Sequence, residues 1–153
     1  MGKSGCNLLV RMAMPQFEAN RALDSNQINT LRDSFENTKV SGGRDLSLNI
    51  IRSSDLKVNN DEDVINATIN ELKLNINIDR IGRQNGNGKV DYNDGFSSKT
   101  TFDYIVTQYI VPDSPYGKHS VLLDRSGNLL YNPDPRIQVS NLQVLKQDFY
   151  RVR

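Results

Sequence analysis

A chain of 153 residues has room for one domain with a real core, and 37% hydrophobic with 7% aromatic residues predicts a modest core and generous loops. Its 19 basic and 18 acidic residues are well mixed and leave a net charge of +1, which gives no electrostatic grip on nucleic acid or on an anionic membrane. One cysteine, Cys6, excludes an internal disulfide, and one histidine, His119, is too few for a zinc site unless carboxylates supply the rest.

The chain starts Met1-Gly2-Lys3-Ser4-Gly5, too short and polar for a signal peptide, and no apolar run reaches the roughly 18 residues of a membrane span. The start reads as a cut edge or tag remnant, so 1–153 is expected to be one domain, either alone or as a piece of something larger. Cellular address and oligomeric state are left open.

A first helix is predicted from about Cys6 to Met14, where Cys6, Leu9, Val10 and Ala13 recur at helical spacing and Pro15 ends or kinks it. Asp24 and Gln27 form a capping-box pair for a second helix. Leu23 and Ile28 are placed as a hydrophobic staple, and Ile28, Leu31 and Phe35 give that helix an apolar face. Ser41-Gly42-Gly43 breaks the pattern, and Leu46 to Ile50 alternates as a strand. A third helix is expected from Asn60, capping Asp61-Glu62-Asp63, through Ile65, Ile69 and Leu72.

From Leu72 to Ile78 the period becomes two, predicting a half-buried strand. A glycine- and asparagine-rich loop is expected from Gly82 to Ser98, then a strand over Phe102 to Val111 and a hairpin from His119. Val139 to Val152 supplies one or two last strands. Helices first and antiparallel strands afterwards predict an α+β fold.

The candidate chemistry lies at the two ends. Cys6 at a helix start meets the positive dipole end and unbonded N–H groups, which favour the thiolate over the thiol of pKa near 8.5. An imidazole stabilises that thiolate and protonates a leaving amine, and helix N–H groups can line an oxyanion hole. Gly5 lets a carbonyl approach. The turn Asp124-Arg125-Ser126-Gly127 has glycine where a three-residue hairpin loop takes a left-handed residue. Pairing Asp124 with Asn128 puts His119 opposite Pro133, flanked by both Asn132 and Asp134. The pairing does not choose between a neutral amide and a carboxylate as the group that orients the ring.

This pattern resembles the papain-like cysteine peptidase superfamily, nearest to bacterial peptidases that process double-glycine leader peptides and their uncharacterised relatives. Gly5-Cys6 is similar to their helix-opening pair, Gly117-Lys118-His119-Ser120-Val121 to their histidine strand, and Tyr131-Asn132-Pro133 to their aromatic-Asp-Pro, with Asn in place of Asp. The resemblance covers the two ends of the chain. It implies a papain-like fold of N-terminal helices and an antiparallel sheet. It also implies a Cys6–His119–Asn132 (or Asp134) site working through a thioester on a peptide or protein, without metal or organic cofactor. Such domains also serve as effector or toxin modules. The glutamine that the family usually carries a few residues before its cysteine is missing from Met1–Gly5, so either it lies before the start of this chain, or another donor such as Asn7 or Ser4 replaces it, or the domain is inactive.

Two other signals compete. Asn85, Asn87, Asp91 and Asp94 around Gly88 follow part of a calcium-loop spacing, but Arg83 stands where the first acidic ligand belongs, so a polar β-connection is the preferred reading. Lys146, Phe149, Tyr150, Arg151 and Arg153 read as a final strand rather than a nucleic-acid stripe. The loop Val111 to Tyr116 is expected to border a substrate cleft. The alternative function is a non-enzymatic binding module, either an inactive papain-like domain or one built on the calcium loop.

Overall fold

Helices precede the main sheet along the chain. In a computed structural model, residues 5–36, 39–40, 44–45, 58–86, 88–113 and 117–153 are described. They fall into two compact units, Met1–Asn77 and Ile78–Arg153. The first holds α1 (Gly5–Ala19), α2 (Ser25–Glu36), the short antiparallel pair β1 (Lys39–Val40) and β2 (Arg44–Asp45), and α3 (Val58–Glu71). The second holds β3 (Ile78–Asn85), β4 (Val90–Tyr92), β5 (Tyr104–Ile110), β6 (Lys118–Asp124), β7 (Leu129–Tyr131) and β8 (Val144–Val152). The class is α+β. The expected strand at 46–50 and the break at 41–43 lie outside the described residues, as do 114–116 of the expected cleft-border loop. α3 begins at Val58, so Asn60 lies inside the helix and is not its cap; the Asn60 and Phe35 side chains fall outside those described.

Pro15 does not end α1, which continues to Ala19. An internal proline forfeits a hydrogen bond and costs about 3 kcal/mol, so the turns around it must compensate. Gln16 Nε2 donates to the Met12 carbonyl at 2.9 Å, and its Oε1 accepts the Leu23 amide at 3.0 Å. The helix then closes in a Schellman motif: Asn20 at φ 51° donates to Phe17 O, and Arg21 donates to Gln16 O. From Asn7 to Pro15 every residue but Leu9 is buried, as befits a helix that is apolar nearly all round.

The α2 cap forms as its sequence predicts. Asp24 Oδ1 accepts the Gln27 amide at 2.8 Å, and Gln27 Oε1 accepts the Asp24 amide at 2.9 Å. Leu23 enters the core with Leu8, Met12, Leu31, Val64 and Leu72, and Ile28 packs against that cluster. Asp24→Ala is expected to cost about 1 kcal/mol in urea unfolding, the usual worth of an N-cap.

The stretch Leu72 to Ile78 is not the strand its period suggests. Burial alternates through it, but the helix ends in a second Schellman motif, with Lys73 at φ 56° donating to Asn70 O and Leu74 to Ile69 O. Strand pairing begins only at Ile78, opposite Val152. Alternation reports which side of an extended segment is buried, and a ladder needs a neighbouring strand as well.

The six strands run antiparallel in the order β4-β3-β8-β5-β6-β7, so the last strand of the chain lies between β3 and β5. The Gly82–Ser98 loop expectation is corrected here. Its first part completes β3 and its middle is β4, with Gly82 opposite Tyr92 and Arg83 opposite Asp91. A Cβ on Gly82 would meet the Asp91 carbonyl at 2.8 Å, so glycine is what lets β4 approach the bulge in β3. The calcium-like positions 83–85 and 90–92 are therefore paired strand rather than a loop wound around an ion.

Candidate active site

Cys6 is the second residue of α1, half-buried, in the first unit. Behind it on the same helix is an unusual pair. Arg11 is fully buried, and its Nη1 donates to Asn7 Oδ1 at 2.6 Å and to Asn7 O at 3.1 Å. A cation withdrawn from water costs several kcal/mol unless its N–H groups are bonded. Asn7, named above as a substitute oxyanion donor, thus uses its carbonyl oxygen on Arg11.

His119, Asn132 and Asp134 belong to the second unit. β6 runs antiparallel to β5, and alternation puts His119, Val121 and Leu123 on one face, with Tyr109 paired directly to His119. Val121 and Leu123 join Ile105 in an apolar cluster that Phe102, Tyr109, Val139 and Phe149 extend, and His119 is buried beyond its end, 2% exposed. Burial pushes the Tyr109 phenol above its ordinary pKa, so it stays neutral beside the ring across the physiological range.

The turn after β6 forms on the predicted residues. Gly127 takes φ 85°, its amide donates to Asp124 O at 3.0 Å, and Asp124 N donates to Asn128 O at 2.9 Å. The Asp124 carboxylate accepts the amides of Ser126 and Asn128 at 2.8 and 2.9 Å. The Asn128 amide is the chief cause of its lowered pKa.

The register beyond the turn differs from expectation. Leu123 pairs with Leu129, but Leu122 pairs with Tyr131, because a bulge at Leu130 adds one residue to β7. Extending that pairing down β6 brings His119 level with Asp134, not Pro133. β7 ends at Tyr131, however, and a side chain makes the contact. His119 Nε2 lies 2.7 Å from Asn132 Oδ1.

The roles in that bond follow from the other end of the amide. Asn132 Nδ2 donates to Ile137 O at 3.0 Å, which aims Oδ1 at the ring, where it also accepts the Asp134 amide at 3.1 Å. Oδ1 can only accept, so Nε2 carries a hydrogen and Nδ1 is the nitrogen that gains or loses a proton.

Asp134 is engaged elsewhere. Its two oxygens accept Arg136 Nε at 2.9 Å and Nη2 at 3.0 Å, and Oδ1 also accepts the Arg136 amide at 3.2 Å. Arg136 holds the Asp134 carboxyl below the ordinary carboxylate range, with a smaller contribution from the charge of His119. The structure thus brings His119, Asn132 and Asp134 together, with Asn132 bonded to the ring and Asp134 acting on it as a nearby charge.

No family model, curated protein or solved structure matches this chain.

Tyr109, Arg136 and the Ile137 carbonyl are site residues that sequence reasoning did not single out. The Asp-Pro-Arg-Ile turn could have pointed to Arg136, since proline favours the second position of a turn and Ile137 N closes it on Asp134 O at 3.0 Å. Nothing in the sequence pairs Tyr109 with His119. Among the described residues, no group of three or more His, Cys, Asp or Glu side chains is arranged to hold a metal ion, and no helix is long and apolar enough to cross a membrane.

Proposed function

We propose that this chain is a papain-like cysteine peptidase, or a related thiol acyltransferase, acting on a peptide or protein. The observation that carries the reading is the His119 imidazole held by Asn132 through Nε2, which makes Nδ1 the base. Cys6 near the start of α1 supplies the nucleophile, with helix N–H groups favouring its thiolate.

Nδ1 takes the thiol proton and the thiolate attacks the substrate carbonyl. The oxygen of the tetrahedral intermediate is stabilised by N–H donors at the helix start. Collapse breaks the C–N bond, and the amine leaves with the proton from Nδ1, giving a thioester on Cys6. Water, deprotonated by Nδ1, then cleaves the thioester and restores the thiol, and an amine in its place gives acyl transfer. Asn132 keeps the ring oriented in both halves of the cycle and remains neutral. Asp134 favours the imidazolium without bonding to it.

A peptidyl aldehyde or vinyl sulfone tests the reading. Intact-mass analysis is expected to show one adduct, on Cys6, and His119→Ala is expected to slow its formation by roughly 10²-fold or more, the usual contribution of a general base. Labelling no faster than that of a simple thiol, and indifferent to His119→Ala, would leave a non-enzymatic binding module as the better account.

A further inference from the structure

The amide of Asn132 is not oriented by the histidine it serves. Its Nδ2 is held by Ile137 O at 3.0 Å and its Oδ1 by the Asp134 amide at 3.1 Å, so both anchors are backbone groups of the segment 134–137. That segment is closed by Ile137 N on Asp134 O at 3.0 Å. It is fastened a second time where Arg136 grips the Asp134 carboxylate through its amide, Nε and Nη2. The guanidinium itself is 89% exposed, yet all three of these donors converge on one carboxylate two residues away.

From this arrangement we infer that Arg136 is a positioning residue for the His119 base. It clamps Asp134, the clamp holds the 134–137 turn, and the turn fixes the Asn132 amide that presents Oδ1 to His119 Nε2. The same grip holds the Asp134 carboxylate on Arg136, so that the neutral amide remains the group bonded to the ring. As a statement about a catalytic base, the inference rests on the peptidase reading. As a statement about how the ring is held, it can be tested without that reading.

Because His119 is the only histidine, its Nε2–H gives a single ring signal in 15N-labelled protein. The exchange of that proton with water reports the Asn132 bond directly. Arg136→Ala is expected to accelerate exchange by up to about fivefold, the scale of a well-formed exposed ion pair. The backbone amides of Val121 and Leu122, inside β6, serve as a reference and should exchange at unchanged rates. Asp134→Ala, which removes a charge near the ring as well as the clamp, should also accelerate ring exchange, and adding Arg136→Ala in that background should accelerate it no further, since both substitutions break one link. Ring exchange that is unchanged in Arg136→Ala, or accelerations that multiply in the double variant, would overturn the clamp. So would a ring proton already in fast exchange in the unsubstituted protein. Measuring Cys6 alkylation on the same samples separates the two ideas. Ring exchange decides the clamp whatever the thiol does, and a thiol of ordinary reactivity would remove the peptidase reading without touching it.

Discussion

Cys6 is expected to react with iodoacetamide well below pH 7, and His119→Ala is expected to abolish that acid-side reactivity. An ordinary thiol of pKa near 8.5 is about 0.3% thiolate at pH 6. A thiolate held by an imidazolium would be largely ionised there, a gain of up to roughly 300-fold in reactive species. Part of that gain is offset, because intrinsic nucleophilicity falls with pKa at a Brønsted slope of about 0.4–0.5. About a tenfold faster reaction at pH 6 should remain. The rate profile would be flat from about pH 5.5 to 8 in the unsubstituted protein. In His119→Ala it would rise only on approaching pH 8.5. Asn132→Ala should fall between the two, since it keeps the imidazole but loses the bond that orients it. Asn132→Asp should also fall short of the unsubstituted protein, because a carboxylate accepts the Nε2 hydrogen but loses the donor to Ile137 O and sets an oxygen against that carbonyl. Identical profiles in the unsubstituted protein and in His119→Ala would mean that no ion pair exists.

The second large effect concerns the sheet that carries His119. Asp148 on β8 is 1% exposed and faces Arg83 on β3 directly across the strand pair. Arg83 Nε and Nη2 reach its two oxygens at 2.6 and 3.0 Å. Removing one partner of a buried pair leaves the other's charge uncompensated, typically at a cost of 3–5 kcal/mol. Arg83 is 26% exposed and regains some hydration, so Asp148→Ala is expected near the lower end, about 3 kcal/mol. For a chain of this size that is roughly a 10 °C fall in Tm. Replacing both partners, as Arg83→Met with Asp148→Leu, should cost clearly less than Asp148→Ala alone, because no buried charge is then stranded. If Asp148→Ala shifts the melting temperature by less than about 2 °C, the pair does not tie β3 to β8.

Both effects bear on the same requirement. β8 lies between β3 and β5, and β5 pairs with the strand that carries His119. The Arg83–Asp148 pair fastens β3 to β8, and Thr107 Oγ1, accepting Gln147 Nε2 at 3.1 Å, fastens β8 to β5. An imidazole that is buried and bonded through one ring nitrogen can only be as well placed as the strand beneath it.

Signals confined to a few neighbouring residues were legible in the sequence. The Asp24–Gln27 cap and the Asp124–Gly127 turn close within four or five residues, so side-chain chemistry and backbone sterics settle them locally. The α+β class, three of the helices and the placing of Tyr104–Ile110 and Lys118–Asp124 in strands were readable for the same reason: periodicity marks which side of an element is buried. The turn also led the sequence to place Asn132 and Asp134 near His119, although the bulge at Leu130 shifts the register on which that reading rested.

What tertiary structure alone decided was pairing. The alternation from Leu72 to Ile78 yields strand only where Val152 supplies a ladder, and the polar run after Gly82 yields strand because β8 and the close approach of β4 hold it. Pro15 sits inside α1, where burial and the Asn20 closure offset its lost bond. The choice between Asn132 and Asp134 turned on β7 ending at Tyr131, on Ile137 O holding the Asn132 amide, and on Arg136 taking the carboxylate for itself. Register and partner choice are small differences among long-range alternatives, each within about a kcal/mol per contact. Local sequence names the groups that can bond, and the assembled sheet determines which of them do.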